Sequence, residues 1–263
     1  MFRALYTGAS GMVAQQLQLD NVANNLANAS TAGFRKRRLQ FQDLLYQNMV
    51  MPGAAATQQT TVAAGLQIGL GTRAAASEII QSQGDFISTG NPLDLMIKGP
   101  GFFQVRLASG ETAYTRGGTF HLDAQGNIVT AQGDLLEPAV TVPPDATSIT
   151  IGADGTVSVS QPGQTAAQTV GTIQLAMFAN PGGLNSLGGN LFAATTASGD
   201  PIVGAPGSPE GLGALEQHCI EQSNVNVVEE FIQMIMAQRS YEANSRVVRA
   251  ADEMFQQLNS LAR

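Results

Sequence analysis

Tryptophan is missing from these 263 residues, cysteine occurs once (Cys219), and the only histidines are His121 and His218. A single cysteine excludes an internal disulfide framework and any zinc site built from several thiolates. Neither histidine has a second ligand or a carboxylate partner at a recognisable spacing, so no metal site is expected. Charged residues make up only 13% of the chain, about half of the roughly 25% usual in soluble domains. No run approaches the ~18 apolar residues of a membrane span, so no transmembrane segment is expected. A net charge of −7 argues against nucleic acid as a partner. The opening MFRALYTGASGMVAQQ has no unbroken apolar core of the kind that marks a cleavable secretory signal. Any export is therefore expected to use a route that does not cleave one.

Signatures of catalysis are equally scarce. The glycines are not followed by the Lys-Ser/Thr of a phosphate loop. Gly8-Ala9-Ser10-Gly11 lacks the spacing and strand context of a nucleophile elbow. Asp123, Asp134 and Asp154 suit turn geometry and form no calcium-loop series. No catalytic, cofactor-binding or metal-ligating residue is nominated, and no enzyme activity is expected.

What is present falls into zones. Residues 1–50 carry five Lys/Arg against two Asp/Glu, and residues 51–219 carry four against twelve. The 29 glycines and 11 prolines crowd the middle. At the N-terminus Leu5, Met12, Leu19 and Leu26 recur every seven residues, with Phe2, Ala9, Gln16 and Ala23 on the companion position. That is a heptad seam with a polar defect at Gln16. It predicts a helix from about residue 3 to residue 29, with Gly33 as a left-handed stop. Met234, Tyr241, Val248 and Phe255 repeat by seven at the other end, accompanied by Ala237, Asn244, Ala251 and Leu258. Asn226 followed by Glu229 reads as a capping box opening that helix. Val227, Val228, Phe231, Ile232 and Ile235 leave its first turns apolar on more than one side, so something must cover them.

Between the ends the period changes to two. Short strands with frequent turn residues run through 94–219, including the hairpin signal Asp154–Gly155. The fold class that follows is multidomain α+β. Paired N- and C-terminal helices (1–33 and 220–263) form a coiled-coil-like inner domain, an extended connecting segment covers 34–93, and 94–219 is an all-β domain. Within the connector, Gln42–Val50 also fits a short helix. Residues 51–77 are small and polar, which suits a segment lying against something else. The run Arg35-Lys36-Arg37-Arg38 reads equally as a solvated stretch or as a contact with acidic surfaces of a neighbouring subunit. Gln15, Gln16, Gln18, Asn21, Asn24, Asn25 and Asn28 give the first helix a polar but nearly uncharged face. Such a face suits a buried hydrogen-bonding interface, a wall past which polypeptide slides, or plain solvation. On these residues alone a self-assembling subunit, a secreted β-rich adhesin or binding module, and a hydrolase with an unrecognised carboxylate site all stay open.

Ser10–Gln47, SGMVAQQLQLDNVANNLANASTAGFRKRRLQFQDLLYQ, resembles the N-terminal signature of the bacterial flagellar axial proteins, which build rod and hook. Its most specific part is Ala23-Asn24-Asn25-Leu26-Ala27-Asn28, followed by Thr31, Gly33 and Phe34. Ser223–Val248, SNVNVVEEFIQMIMAQRSYEANSRVV, is similar to the family's C-terminal hallmark. Lys98-Gly99-Pro100-Gly101-Phe102-Phe103 and Tyr114-Thr115-Arg116-Gly117-Gly118-Thr119-Phe120 match in the middle. Residues 44–73 match an insertion that separates a rod branch from the hook branch, which sets the rod-type insertion at about 46–77. The resemblance implies a non-enzymatic subunit that self-assembles as a hollow helical tube around the export channel and transmits torque. It implies export through the flagellar type III apparatus, and contacts with proximal rod proteins, hook protein and the surrounding rings of the basal body. It places the polymer between periplasm and outer membrane. A proximal rod or hook-type member is the nearest alternative. The residues expected at the assembly interface are Leu5, Met12, Leu19, Asn24, Asn25, Leu26, Asn28, Phe34, Met234, Tyr241, Val248, Phe255 and Leu258.

Overall fold

The computed structural model describes residues 2–52, 64–163, 166–208 and 211–261. The chain divides into two compact units, one of residues 1–27, 37–78 and 226–263, the other of residues 28–36 and 79–225.

The first unit is built on two helices, α1 (Phe2–Ala27) and α2 (Val227–Leu261). Asn226 caps α2 as expected: its side-chain oxygen accepts from the backbone N–H of Val228 at 3.1 Å and of Glu229 at 3.4 Å, two donors that the helix start cannot satisfy itself. The helices run antiparallel. The Phe2 ring lies 5.1 Å from that of Phe255, Gly8 faces Val248, Gly11 faces Asn244, and Asn25 meets Glu230. On α2 the predicted seam holds in part: Ala237 and Ala251 are buried and Met234, Asn244, Val248 and Phe255 half-buried, but Tyr241 and Leu258 are exposed. On α1 the seam is displaced. Gly8, Ala14, Val22 and Asn25 are its buried positions. Leu5, Met12, Leu19 and Leu26 are half-buried, and Ala9, Gln16 and Ala23 are exposed. Small residues win the inner position because the helices approach closely there. A Cβ on Gly8 would come within 2.9 Å of Val248 Cγ2, tighter than real contacts allow.

The connecting segment adds extended chain in pairs. Arg37–Asp43 pairs with Thr72–Ile79, and Tyr46–Val50 pairs antiparallel with Leu66–Gly69. The short helix that Gln42–Val50 would also fit is not formed. Its backbone donors are used in the hairpin instead, with an irregularity between Asn48 and Val50. Residues 53–63 of the insertion lie outside the described residues. Gly71 reaches a φ of +113° and lies over Ser10 of α1, whose hydroxyl oxygen a Cβ there would meet. The hydroxyl of Ser10 accepts from the Thr72 N–H at 3.4 Å, so the returning strand is seated on the helix by a residue without a side chain.

Among the described residues, the regular elements of the second unit are strands apart from the short 3-10 turn Pro181–Gly183. In its largest sheet Asn185–Gly188, Leu191–Ala193, Thr112–Thr115, Phe102–Arg106, Leu135–Glu137, Ile128–Thr130 and Phe120–Leu122 lie in that order. Leu175–Met177 also pairs with Phe102–Arg106, and Ile202–Gly204 pairs in turn with Leu175–Met177. Side chains alternate across a strand, and here the alternation feeds two cores. Phe103 and Val105 pack with Leu95, Ile97, Phe120 and Ile128, while Phe102 joins Tyr114, Phe178 and Phe192. The Asp154–Gly155 signal forms its hairpin between Ser148–Ile151 and Thr156–Ser160. Asp123 and Asp154 act as turn residues, each accepting the backbone N–H two residues on.

Gly33, expected to stop α1, lies six residues past the helix end and has a φ of +71°. A Cβ there would come 2.6 Å from Gly117 N, so the backbone passes against the Gly117–Gly118 stretch. Gly118 tolerates still less: a Cβ would sit 1.6 Å from the Leu95 carbonyl oxygen. Gly118→Ala is accordingly expected to cost more than about 4 kcal/mol, checked as a lower urea midpoint for the β unit. An unchanged midpoint would mean that this close approach is not needed.

Candidate assembly surfaces

Inside the first unit α2 uses one face for α1 and has a second apolar face left over. Val228, Phe231, Ile232, Ile235 and Met236 are each about half or more exposed, at the three- and four-residue spacing that puts them on one stripe. A matching stripe on α1 consists of Phe2, Tyr6, Val13 and Leu17, with Phe2 79% exposed. The hairpin adds Leu45 (85% exposed), Tyr46, Met49 and Leu66. Fully burying one such side chain is worth about 1.5–3 kcal/mol, and patches of this extent mark surfaces that bind protein.

The residues expected at the interface are distributed over both units. Asn25 is buried, Leu5, Met12, Leu19, Leu26, Met234, Val248 and Phe255 are half-buried along the helix pair, and Asn24, Tyr241 and Leu258 are exposed. Asn28 and Phe34 are half-buried in the β unit. Asn25 has a specific task. Its side-chain oxygen accepts from Arg37 N at 3.0 Å and its amide donates to Arg37 O at 2.9 Å, the two bonds a neighbouring strand would make. Asn21 donates to the same carbonyl at 2.9 Å. The amide of Asn25 also donates to Glu230 Oε2 at 3.2 Å. The asparagines of α1 thus fix where the chain turns into its first strand.

Sequence reasoning missed the most buried charged cluster. Arg35 and Arg116, both 4% exposed, flank Glu221, 2% exposed, at 2.8 and 2.7 Å. Glu221 Oε1 also accepts from Gly84 N at 2.9 Å, and its backbone carbonyl accepts from Gly33 N at 2.8 Å. Arg116 donates to the carbonyls of Ile97, Gly99 and Gly101, and Arg35 to that of Ser82 at 2.6 Å. Asn224 works beside them, accepting from Lys36 N at 2.7 Å and donating to the Ile80 carbonyl at 2.9 Å. The Gly99–Gly101 and Arg116–Gly118 motifs are therefore two halves of one fitting. Burial pulls the Arg35 guanidinium below its ordinary pKa; Glu221 opposes this and the like charge of Arg116 adds to it. The basic run splits as extended chain must. Arg35 points inward, whereas Arg38 pairs at the surface with Glu78 at 2.9 Å. The only signal for this in the sequence is the period of two, and nothing local marks Glu221 as the partner.

Two helices with surplus apolar faces and a β unit locked by an internal ion cluster describe a structural subunit. Three family models match the chain: "Flagella basal body rod protein" over residues 5–35, "Flagellar hook protein FlgE/F/G D1 domain" over 96–159, and "Flagellar basal body rod FlgEFG protein C-terminal" over 216–261. The chain is 48% identical over 260 residues to the flagellar basal-body rod protein FlgG of Caulobacter vibrioides, covering 98% of this chain and 99% of the relative. It is 44% identical to FlgG of Borreliella burgdorferi and 40% to FlgG of Bacillus subtilis, covering all of both chains in each case. The flagellar hook-basal body complex protein FlhP of Bacillus subtilis is 28% identical over 99% of this chain. The chain belongs to the flagellar basal-body rod protein family, a family of structural subunits. Within it, the likeness to FlgG along the whole length puts it in the distal-rod branch.

The ion cluster makes a stability prediction. Glu221→Gln leaves two buried guanidinium groups without a countercharge and is expected to cost about 3–5 kcal/mol, read as a reduced urea midpoint. Glu78→Gln removes a partner only from an exposed pair and should leave the midpoint where it is. Equal effects of the two substitutions would contradict the burial argument.

Proposed function

We propose that this subunit polymerises through its terminal helices into a hollow helical shaft that surrounds the export channel and transmits torque, with no reaction catalysed. The observation that carries the reading is the unused apolar stripe of α2, Val228 to Met236, on a helix whose other face already packs on α1. Isolated helices are marginal in water, and their stability in proteins comes from packing of the apolar face. Helices with more apolar surface than one chain can cover gain order when copies stack, which couples folding to assembly. Contacts of unlike patches that do not close into a ring propagate as a helix.

The rod so formed joins the proximal rod proteins to the hook protein inside the ring proteins of the basal body, from periplasm to outer membrane. The subunit reaches its place through the flagellar type III export apparatus without a cleaved signal. Among the described residues no helix is long and apolar enough to cross a membrane. The Tyr46–Val50 and Leu66–Gly69 hairpin, with Leu45, Tyr46 and Met49 outward, would brace adjacent subunits and stiffen the shaft.

Two measurements test the reading. Ile232→Asp or Met236→Asp should leave the thermal midpoint of the β unit unchanged while abolishing polymer formation, followed by sedimentation and electron microscopy. Normal polymerisation of either variant would remove the role of the α2 stripe. Deleting residues 46–71 should lower the bending stiffness of the assembled shaft, and an unaltered stiffness would remove the bracing role.

A further inference from the structure

Three buried side-chain nitrogen or oxygen atoms have no hydrogen-bond partner among the described residues, and two of them, Arg35 Nε and Gln81 Nε2, belong to residues that line one cleft. The cleft has a volume of about 350 Å³ and lies wholly within the β unit. Phe102, Phe178, Met177 and Pro181 make its walls apolar, while Arg35, Arg116 and Gln81 supply the polar part. An arginine can only donate, so whatever completes the site must accept.

The charge count points the same way. The charged groups acting on Arg35 are Glu221 and Arg116, so two guanidinium groups share one carboxylate and the cluster carries one surplus positive charge. Both oxygens of Glu221 are already committed, Oε1 to Arg35 and Gly84 and Oε2 to Arg116. A buried donor left unpaired costs more than a made bond gains, and a buried positive charge favours an anion with apolar flanks over water alone. Copies of this chain are rich in that chemistry, since residues 51–219 carry twelve Asp/Glu against four Lys/Arg.

We propose that the cleft over Arg35 and Gln81 receives an Asp or Glu side chain from a second copy of this chain, making it an inter-subunit socket of the β layer. This rests on the reading of the chain as a self-assembling rod subunit. The incoming carboxylate balances the surplus charge, and the apolar walls exclude water from the pair.

The test uses the purified full-length chain, with sedimentation over a concentration series to find where polymer appears and a thermal melt of the same samples. Gln81→Glu places a carboxylate of the same chain in the cleft that Arg35 also lines, and it should compete with the incoming one. The concentration needed for polymer is expected to rise about tenfold or more with the melting midpoint unchanged or higher. Gln81→Leu removes one donor at similar volume and should raise that concentration several-fold with the midpoint unchanged. Polymer formation at the unaltered concentration by both variants overturns the socket. So does a fall of the midpoint that parallels the loss of assembly, because that marks a packing role. A benzophenone amino acid in place of Met177, irradiated in the polymer, should cross-link to a peptide of a second copy that contains Asp or Glu. Cross-links confined to one chain, or only to peptides without an acid, also overturn it. Failure of the unaltered chain to polymerise removes the self-assembly reading and the socket together, whereas normal polymer with unaffected variants removes the socket alone.

Discussion

One carboxylate holds the β unit together at its most constrained point. Glu221 accepts from Arg35, Arg116 and Gly84, and its backbone carbonyl ties in Gly33. It therefore fixes side by side the segment that follows α1, the segment that precedes α2, and the Gly99–Gly101 and Arg116–Gly118 loops. Removing an ion from water costs several kcal/mol even after relaxation, so such a cluster survives only when almost every donor finds a partner. The glycines around it follow from the same demand: Gly33, Gly84 and Gly118 all run where a Cβ would strike backbone. Rigidity in this region is a consequence of geometry that has no slack, which suits a part that must carry load.

The helical unit obeys a different rule. Its inner seam combines small residues with a polar clamp: Gly8, Gly11 and Ala14 let the backbones approach, and Asn25 closes the end against Arg37 and Glu230. Most of the large apolar side chains of α1 and α2 stay outside this seam. A helix pair intended to be stable alone would turn them inward. Their outward placement leaves apolar surface that further copies would cover in the proposed shaft. The relatives named FlgG match 98% or more of this chain, so both the β unit and the helix pair lie within the shared region.

Much of this was legible in the residues. The helix at each end, the cap at Asn226, the all-β middle and the Asp154–Gly155 hairpin all follow from periodicity and turn chemistry that act within a few residues. The register of α1 did not. Its leucine heptad is the loudest apolar signal, yet the leucines flank the seam, because the inner position is decided by how closely α2 approaches. Nor was the split of the basic run readable. Arg35 and Arg38 look alike in the sequence, and only the distant Glu221 makes one of them a core residue and the other a surface one.

Composition and period by themselves determined the class of elements and the membership signalled by the two terminal motifs, because these depend on local propensity and on residue identity at fixed spacing. The tertiary structure alone decided which helix face is spent within the chain and which is left over. It also decided which charges are buried and where the cleft with its unfilled donors lies. Those outcomes depend on close approach and desolvation between segments far apart in the chain, and no short stretch of residues carries that information.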